Sequence, residues 1–139
     1  MERRNIGVID IGSKSVHLVI GEYYNNEYFQ IIDDGKVNVR LNDGLAETGK
    51  LQQDRMDFGI ETLAMFVSMC DAYGIEKVIA VATAAVRKAS NGAEYVARIK
   101  AEVGLDVNII PGEVEAAMDY LGAINTLDVK DALLMDIGG

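Results

Sequence analysis

Two short runs in this chain end alike: IGVIDIGSKS from Ile6 to Ser15, and LLMDIGG from Leu133 to Gly139. In each, an apolar stretch leads into Asp-Ile-Gly, so Asp10 and Asp136 each sit where a strand gives way to a turn. Gly12 and Gly138 leave those turns without a side chain, which lets backbone N–H groups approach an anion closely. Ser13 adds a hydroxyl beside the first turn, and Gly139 follows in the second. Either turn alone is more often an ordinary strand end whose Asp bonds its own backbone. Facing each other, the two would clamp a chain of phosphoryl groups, with Asp10 and Asp136 as magnesium ligands.

Composition narrows the classes. A chain of 139 residues, half of them hydrophobic and with one Pro, is globular material of about one domain's size. Its formal charge of −9 argues against a nucleic-acid groove, which needs a basic surface. It leaves room for an anion held by a metal ion and a few local cations. The lone cysteine, Cys70, excludes an internal disulfide and suits a reducing, cytoplasmic setting. Asp10 and Lys14 interrupt the first apolar run too early for a signal peptide, and no run is long enough for a membrane span. His17 falls mid-strand with no second histidine to build a metal or triad site, and is read as structural.

The elements that must position these residues follow from periodicity. Residues 5–11 and 15–22 read as β-branched strands around the Gly12-Ser13-Lys14 turn. Asn25-Asn26 turns the chain into a third strand over 27–33, giving an antiparallel meander. A loop around Gly35, an extended piece over 36–41 and a Gly-containing stretch over 42–50 follow. Met56, Ile60, Leu63, Val67 and Cys70 mark one face of a helix over 53–73, stopped by Gly74. EKVIAVAT (76–83) reads as a strand buried on both faces. A helix over 91–103, a strand over 106–110 closed by Pro111-Gly112, and a third helix with Val114, Ala117, Met118 and Leu121 on one side come next. A last strand covers 132–137. The order βββ-α-β-α-β-α-β specifies an α/β fold, a mixed sheet with helices packed on it.

Duplicated strand–Asp–Gly turns of this kind resemble those of the actin, sugar-kinase and heat-shock-chaperone ATPase superfamily. Further stretches resemble one branch, the exopolyphosphatase/guanosine-pentaphosphate phosphohydrolase (Ppx/GppA) family. DIGSKSVHLVIGE is similar to its first phosphate motif, Asp-x-Gly-Ser-Asn-Ser. VRLNDGLAETGKL (39–51), ATAAVRKASNG (82–92) and IIPGEVEAAMDYLG (109–122) resemble three more of its segments, in the family's order. The resemblance covers essentially all of the chain. It implies a ribonuclease H-like (actin-like ATPase) domain over residues 1–130, with a mixed five-stranded sheet of three antiparallel then parallel strands, and 131–139 as the opening strand of a second domain.

Carried over by position, Glu115 matches the catalytic glutamate, which would orient and deprotonate the attacking water. Read from the residues alone, Glu113 and Glu115 are acids in a helix's first turn, where negative charge is favoured by ~0.3–1 kcal/mol whatever the chemistry. Arg87 occupies the family's arginine after the fourth strand, a bidentate phosphate ligand in that scheme. Arg40 and Lys14 join it as phosphate-binding candidates with Gly12, Ser13, Gly138 and Gly139. The chain departs from the family pattern at Lys14, where Asn is usual, and at Val114, where a second Glu is usual.

The resemblance therefore implies a magnesium-assisted hydrolase that releases terminal phosphate from inorganic polyphosphate or guanosine pentaphosphate. It also implies a homodimer, with neither nucleic acid nor membrane as partner. The 139 residues alone are expected to be inactive, because half the clamp belongs to the second domain. The alternatives are an ATP-dependent kinase or ATPase of the same superfamily, marked by an adenosine pocket, and a regulator that binds phosphate without hydrolysing it, supported by Lys14 and Val114.

Overall fold

A computed structural model of the chain describes residues 3–24, 28–128 and 133–137. Its frame is one five-stranded sheet. Strands β1 (Arg3–Ile11), β2 (Val16–Tyr24) and β3 (Tyr28–Val37) form an antiparallel meander, and β4 (Val78–Ala82) and β5 (Val107–Ile109) add in parallel to the other side of β1. The spatial order is β3-β2-β1-β4-β5, the mixed arrangement expected from the sequence. Helices α1 (Leu45–Thr48), α2 (Gln53–Ala72), α3 (Ala84–Lys88), α4 (Gly92–Val103) and α5 (Gly112–Thr126) complete it.

Strand alternation decides which face is which. Ile9 and Ile11 of β1, with Val16, Leu18 and Ile20 of β2, point to one side and are buried beneath α2 and α4. The helical stripe supplies Met56, Ile60, Leu63 and Cys70 as expected; Phe66, rather than Val67, is the fully buried residue of that turn. Tyr95 and Ile99 of α4 close the core. Tyr95 fits only because α2 carries Gly59 against it: a Cβ there would lie 2.1 Å from the tyrosine Oη.

The opposite face tells a different story. β4 was expected to be buried on both sides, yet Ile79 is 38% exposed and only Ala80 and Ala82 are buried. The third helix, α5, was expected to lay Val114, Met118 and Leu121 on the sheet; it buries no residue among those described. Both differences have one cause. α2 and α4 cover a single face, and among the described residues no element covers the other.

Smaller corrections follow from pairing. Gly35 is not in a loop: it lies within β3 opposite Leu18, and the ladder continues through Lys36 and Val37, with a bulge at Ile20/Gly21. The stretch over 42–50 contains the single turn α1, and α3, unmarked by periodicity in five residues, follows β4 directly. Residues 133–137 form no strand, since no ladder partner for them exists among the described residues. The expected Asn25-Asn26 turn, and Ala132 of the expected last strand, lie outside the described residues.

Gly59→Ala is expected to lower stability by about 1–3 kcal/mol, because the added methyl must displace a fully buried ring. Chemical denaturation of the variant measures this, and an unchanged midpoint would contradict the close packing of α2 on Tyr95.

Candidate active site

Parallel pairing places the carboxyl ends of β1, β4 and β5 at one rim, the edge where α/β sheets bind ligands. Three segments leave that rim: the Gly12–Ser15 turn after β1, α3 after β4, and α5 after β5.

The first turn is tightly pinned. Gly12 N donates to Ser15 O at 3.0 Å, Arg40 N to Lys14 O at 2.8 Å, and Asn42 N to Ser13 O at 3.0 Å. A Cβ at position 12 would sit 2.8 Å from Ser15 O, so the turn admits only glycine there. Ser13 and Lys14 occupy its tip. Arg40 lies beside this turn through its backbone, in a left-handed conformation (φ 60°) that costs a non-glycine residue ~1–2 kcal/mol. Its guanidinium is engaged by Asp43, with Nε 2.9 Å from Oδ2, and is not aimed by any described contact at the rim.

Asp10 faces away from the core because Ile9 and Ile11 face into it. Register sets it in a cross-sheet row with Lys36, His17, Val81 and Asn108 on the open face. His17 Nε2 lies 3.3 Å from Asp34 Oδ2, so the histidine bridges β2 and β3 on that face. Glu115 sits on the first turns of α5, where Pro111 O accepts the amides of Val114 and Glu115, each at 3.1 Å. One turn further along lies Asp119, which the sequence reading passed over; its signal was the i, i+4 spacing from Glu115.

Glu115, Asp119, Gly112, Ala116, Leu134 and Asp136 line a cleft of about 400 Å³. The carboxylates there influence one another. Asp10 is held above the ordinary carboxylate range, first by desolvation among its neighbours and then by the charges of Glu115, Asp119 and Asp136; His17 acts in the opposite sense. Asp10 lies at the strand end on the open face, with the charges of Glu115, Asp119 and Asp136 near enough to act on it. Asp119 is raised too, by desolvation and then by Asp136, through its charge and a hydrogen bond, and by Glu115. Asp10, Glu115 and Asp136 thus share one electrostatic environment. Gly138 and Gly139 lie outside the described residues.

Arg87 is brought to the same place. Its Nη1 donates to Ile110 O at 2.7 Å and to Glu115 Oε2 at 3.2 Å, joining α3 to the start of α5. The rest of that motif is architectural. The Asn91 side chain donates to Leu51 O at 3.0 Å and accepts from Leu51 N at 2.8 Å, while Ser90 N bonds Gly49 O. Lys88 closes α3 and contributes no described contact to the cleft.

The donor set suits a hard divalent cation: carboxylates near enough together to act on the pKa of Asp10 and Asp119, beside a turn of backbone amides. Among the described residues no three or more His, Cys, Asp or Glu side chains form a ready metal cage.

A ribonuclease H-like, actin-like ATPase domain with an acidic cleft at its strand ends is the class that this fold and site define. Residues 19–139 match the sequence profile of the Ppx/GppA phosphatase family, and the chain belongs to that family. It is 28% identical over 136 residues to exopolyphosphatase 1 of Mycobacterium tuberculosis, covering 96% of this chain and 40% of that protein. To the guanosine-5'-triphosphate,3'-diphosphate pyrophosphatase of Vibrio cholerae it is 33% identical over 132 residues, or 94% of this chain and 26% of that one. Its fold superposes on the Aquifex aeolicus PPX-GPPA enzyme with a TM-score of 0.86 at 35% identity, covering 94% of this chain and 43% of that one. The chain spans less than half the length of each of these relatives. Among the described residues no helix is long and apolar enough to cross a membrane.

The raised carboxyls carry a sign that can be measured. A carboxyl whose pKa rises on folding stabilises the fold fully below its unfolded value, ~4, and that contribution is lost as pH climbs through the raised value. Asp10→Asn is therefore expected to raise the unfolding midpoint at pH 7, with the difference vanishing below about pH 4. Thermal unfolding across that range checks it; equal midpoints at pH 7 would contradict the crowding.

Proposed function

We propose that this domain supplies the water-activating acid and one phosphate-binding turn of a hydrolase that releases terminal phosphate from inorganic polyphosphate or guanosine pentaphosphate. The observation that carries this is the convergence of Asp10, Glu115 and Asp136 on the rim beside the Gly12–Ser15 turn. Family membership supports it, as do relatives named for both activities.

In this reading the turn's backbone amides, with Ser13 and Lys14, hold phosphate oxygens, and Gly138 and Gly139 do the same from the facing turn. Asp10 and Asp136 would hold Mg²⁺, which when bound offsets phosphate charge. Glu115 aligns a water in line with the leaving phosphate and takes its proton. The enzyme is proposed to act as a homodimer in the cytoplasm. Completion of the clamp requires the rest of a protein of the relatives' length, so the 139 residues alone are proposed to be inactive.

The test is phosphate release from polyphosphate by the full-length protein with Mg²⁺. Glu115→Gln is expected to lower turnover by about 10²–10⁴-fold, the usual worth of a general base. Undiminished turnover would remove Glu115 from the mechanism, and loss of activity on chelating Mg²⁺ would support the cation's role.

A further inference from the structure

We infer that Arg87 is a positioning residue for Glu115, acting on the reaction through that carboxylate rather than as an independent phosphate ligand. The inference rests on the function proposed above and assigns a different role to the cation that, among the described residues, lies against the proposed base.

The geometry is specific. Arg87 leaves α3, whose N-cap Thr83 is tied to the sheet end by Thr83 N donating to Ile11 O at 3.2 Å. Its Nη1 then donates to Ile110 O at 2.7 Å. That carbonyl belongs to a buried residue whose own amide is fixed by Ala82 O at 3.1 Å, so the guanidinium is anchored to the end of β5. The same nitrogen reaches Glu115 Oε2 at 3.2 Å. Both side chains are only partly open to water, 29% and 28% exposed. An arginine clamped on a main-chain acceptor cannot follow a mobile carboxylate; the carboxylate must settle on the arginine.

Glu115 has need of such a partner. It stands among Asp10, Asp119 and Asp136, all of the same charge, which would drive an unrestrained carboxylate away from the cleft. Arg87 holds it at the rim with one oxygen engaged, leaving the other, Oε1, for water. A base displaced by an ångström from its productive place loses about 100-fold in rate.

The experiment is a double-mutant cycle in the full-length protein, hydrolysing polyphosphate of defined length with Mg²⁺, using Arg87→Ala, Glu115→Gln and the pair. Arg87→Ala is expected to lower kcat by about 10- to 100-fold with KM changed less than about twofold. In the Glu115→Gln background it is expected to add no further loss, because the group it positions is already disabled. A rise in KM at unchanged kcat, or the same loss in both backgrounds, would overturn the inference and return Arg87 to direct phosphate binding. Should Arg87→Ala fail to fold, Arg87→Gln, which keeps a donor for Ile110 O, is run through the same cycle with the same expectations. Full activity in Glu115→Gln alone would overturn the functional reading and this inference together. A slowed Glu115→Gln in which Arg87→Ala adds its full loss again would overturn this inference only.

Discussion

Parallel pairing of β1 with β4, and of β4 with β5, is the constraint on which the site depends. Antiparallel neighbours put successive strand ends at opposite edges of a sheet, whereas parallel neighbours put them side by side. Three segments far apart in the chain therefore leave the sheet at one rim. Asp10 arrives with β1, Arg87 with the helix after β4, and Glu115 with the helix after β5. No local signal holds these residues together; the hydrogen-bond ladder does.

The same sheet is asymmetric in its burial. One face is closed by α2 and α4 over a core running from Ile9 and Leu18 to Phe66 and Tyr95. On the other, Asp10 and His17 share an open surface with Val81 and Ile79. Pleating explains why these are opposite faces: each residue in a strand points away from its neighbours, so the apolar flanks Ile9 and Ile11 commit Asp10 to the open side. Burial of the flanks is what exposes the carboxylate.

The rim concentrates negative charge that the fold does not neutralise. Desolvation and the neighbouring carboxylates raise the affinity of Asp10 and Asp119 for protons, and Arg87 is bonded to Glu115 beside them. Such crowding works against stability at neutral pH, and sites that handle charged ligands commonly carry it. The lone thiol shows the contrast. Cys70 is buried beneath β1, where a Cβ on Gly7 would meet its sulfur at 2.9 Å, and desolvation raises its pKa, so it is packing material.

Residue pattern alone determined the order of the sheet's five strands and of the three longer helices, the mixed sheet, the helix stripe on α2 and the candidacy of Asp10, because these depend on period-two and period-3.6 burial and on turn chemistry within a few residues, while Glu115 was marked out by the family resemblance. It misread Gly35 as a loop, since a glycine that makes room for a helix's ring, here Phe66 of α2, looks like punctuation until its ladder is known. It passed over Asp119, whose meaning lies in proximity to Asp136, and it gave no sign of the Arg87 contacts with Ile110 O and Glu115. It also expected α5 to be packed, because an apolar stripe reports that a surface wants covering and not what covers it. Those matters were decided by tertiary structure: which strand ends share a rim, and which charges meet there, are through-space facts between residues dozens of positions apart, and no spacing in the chain encodes them.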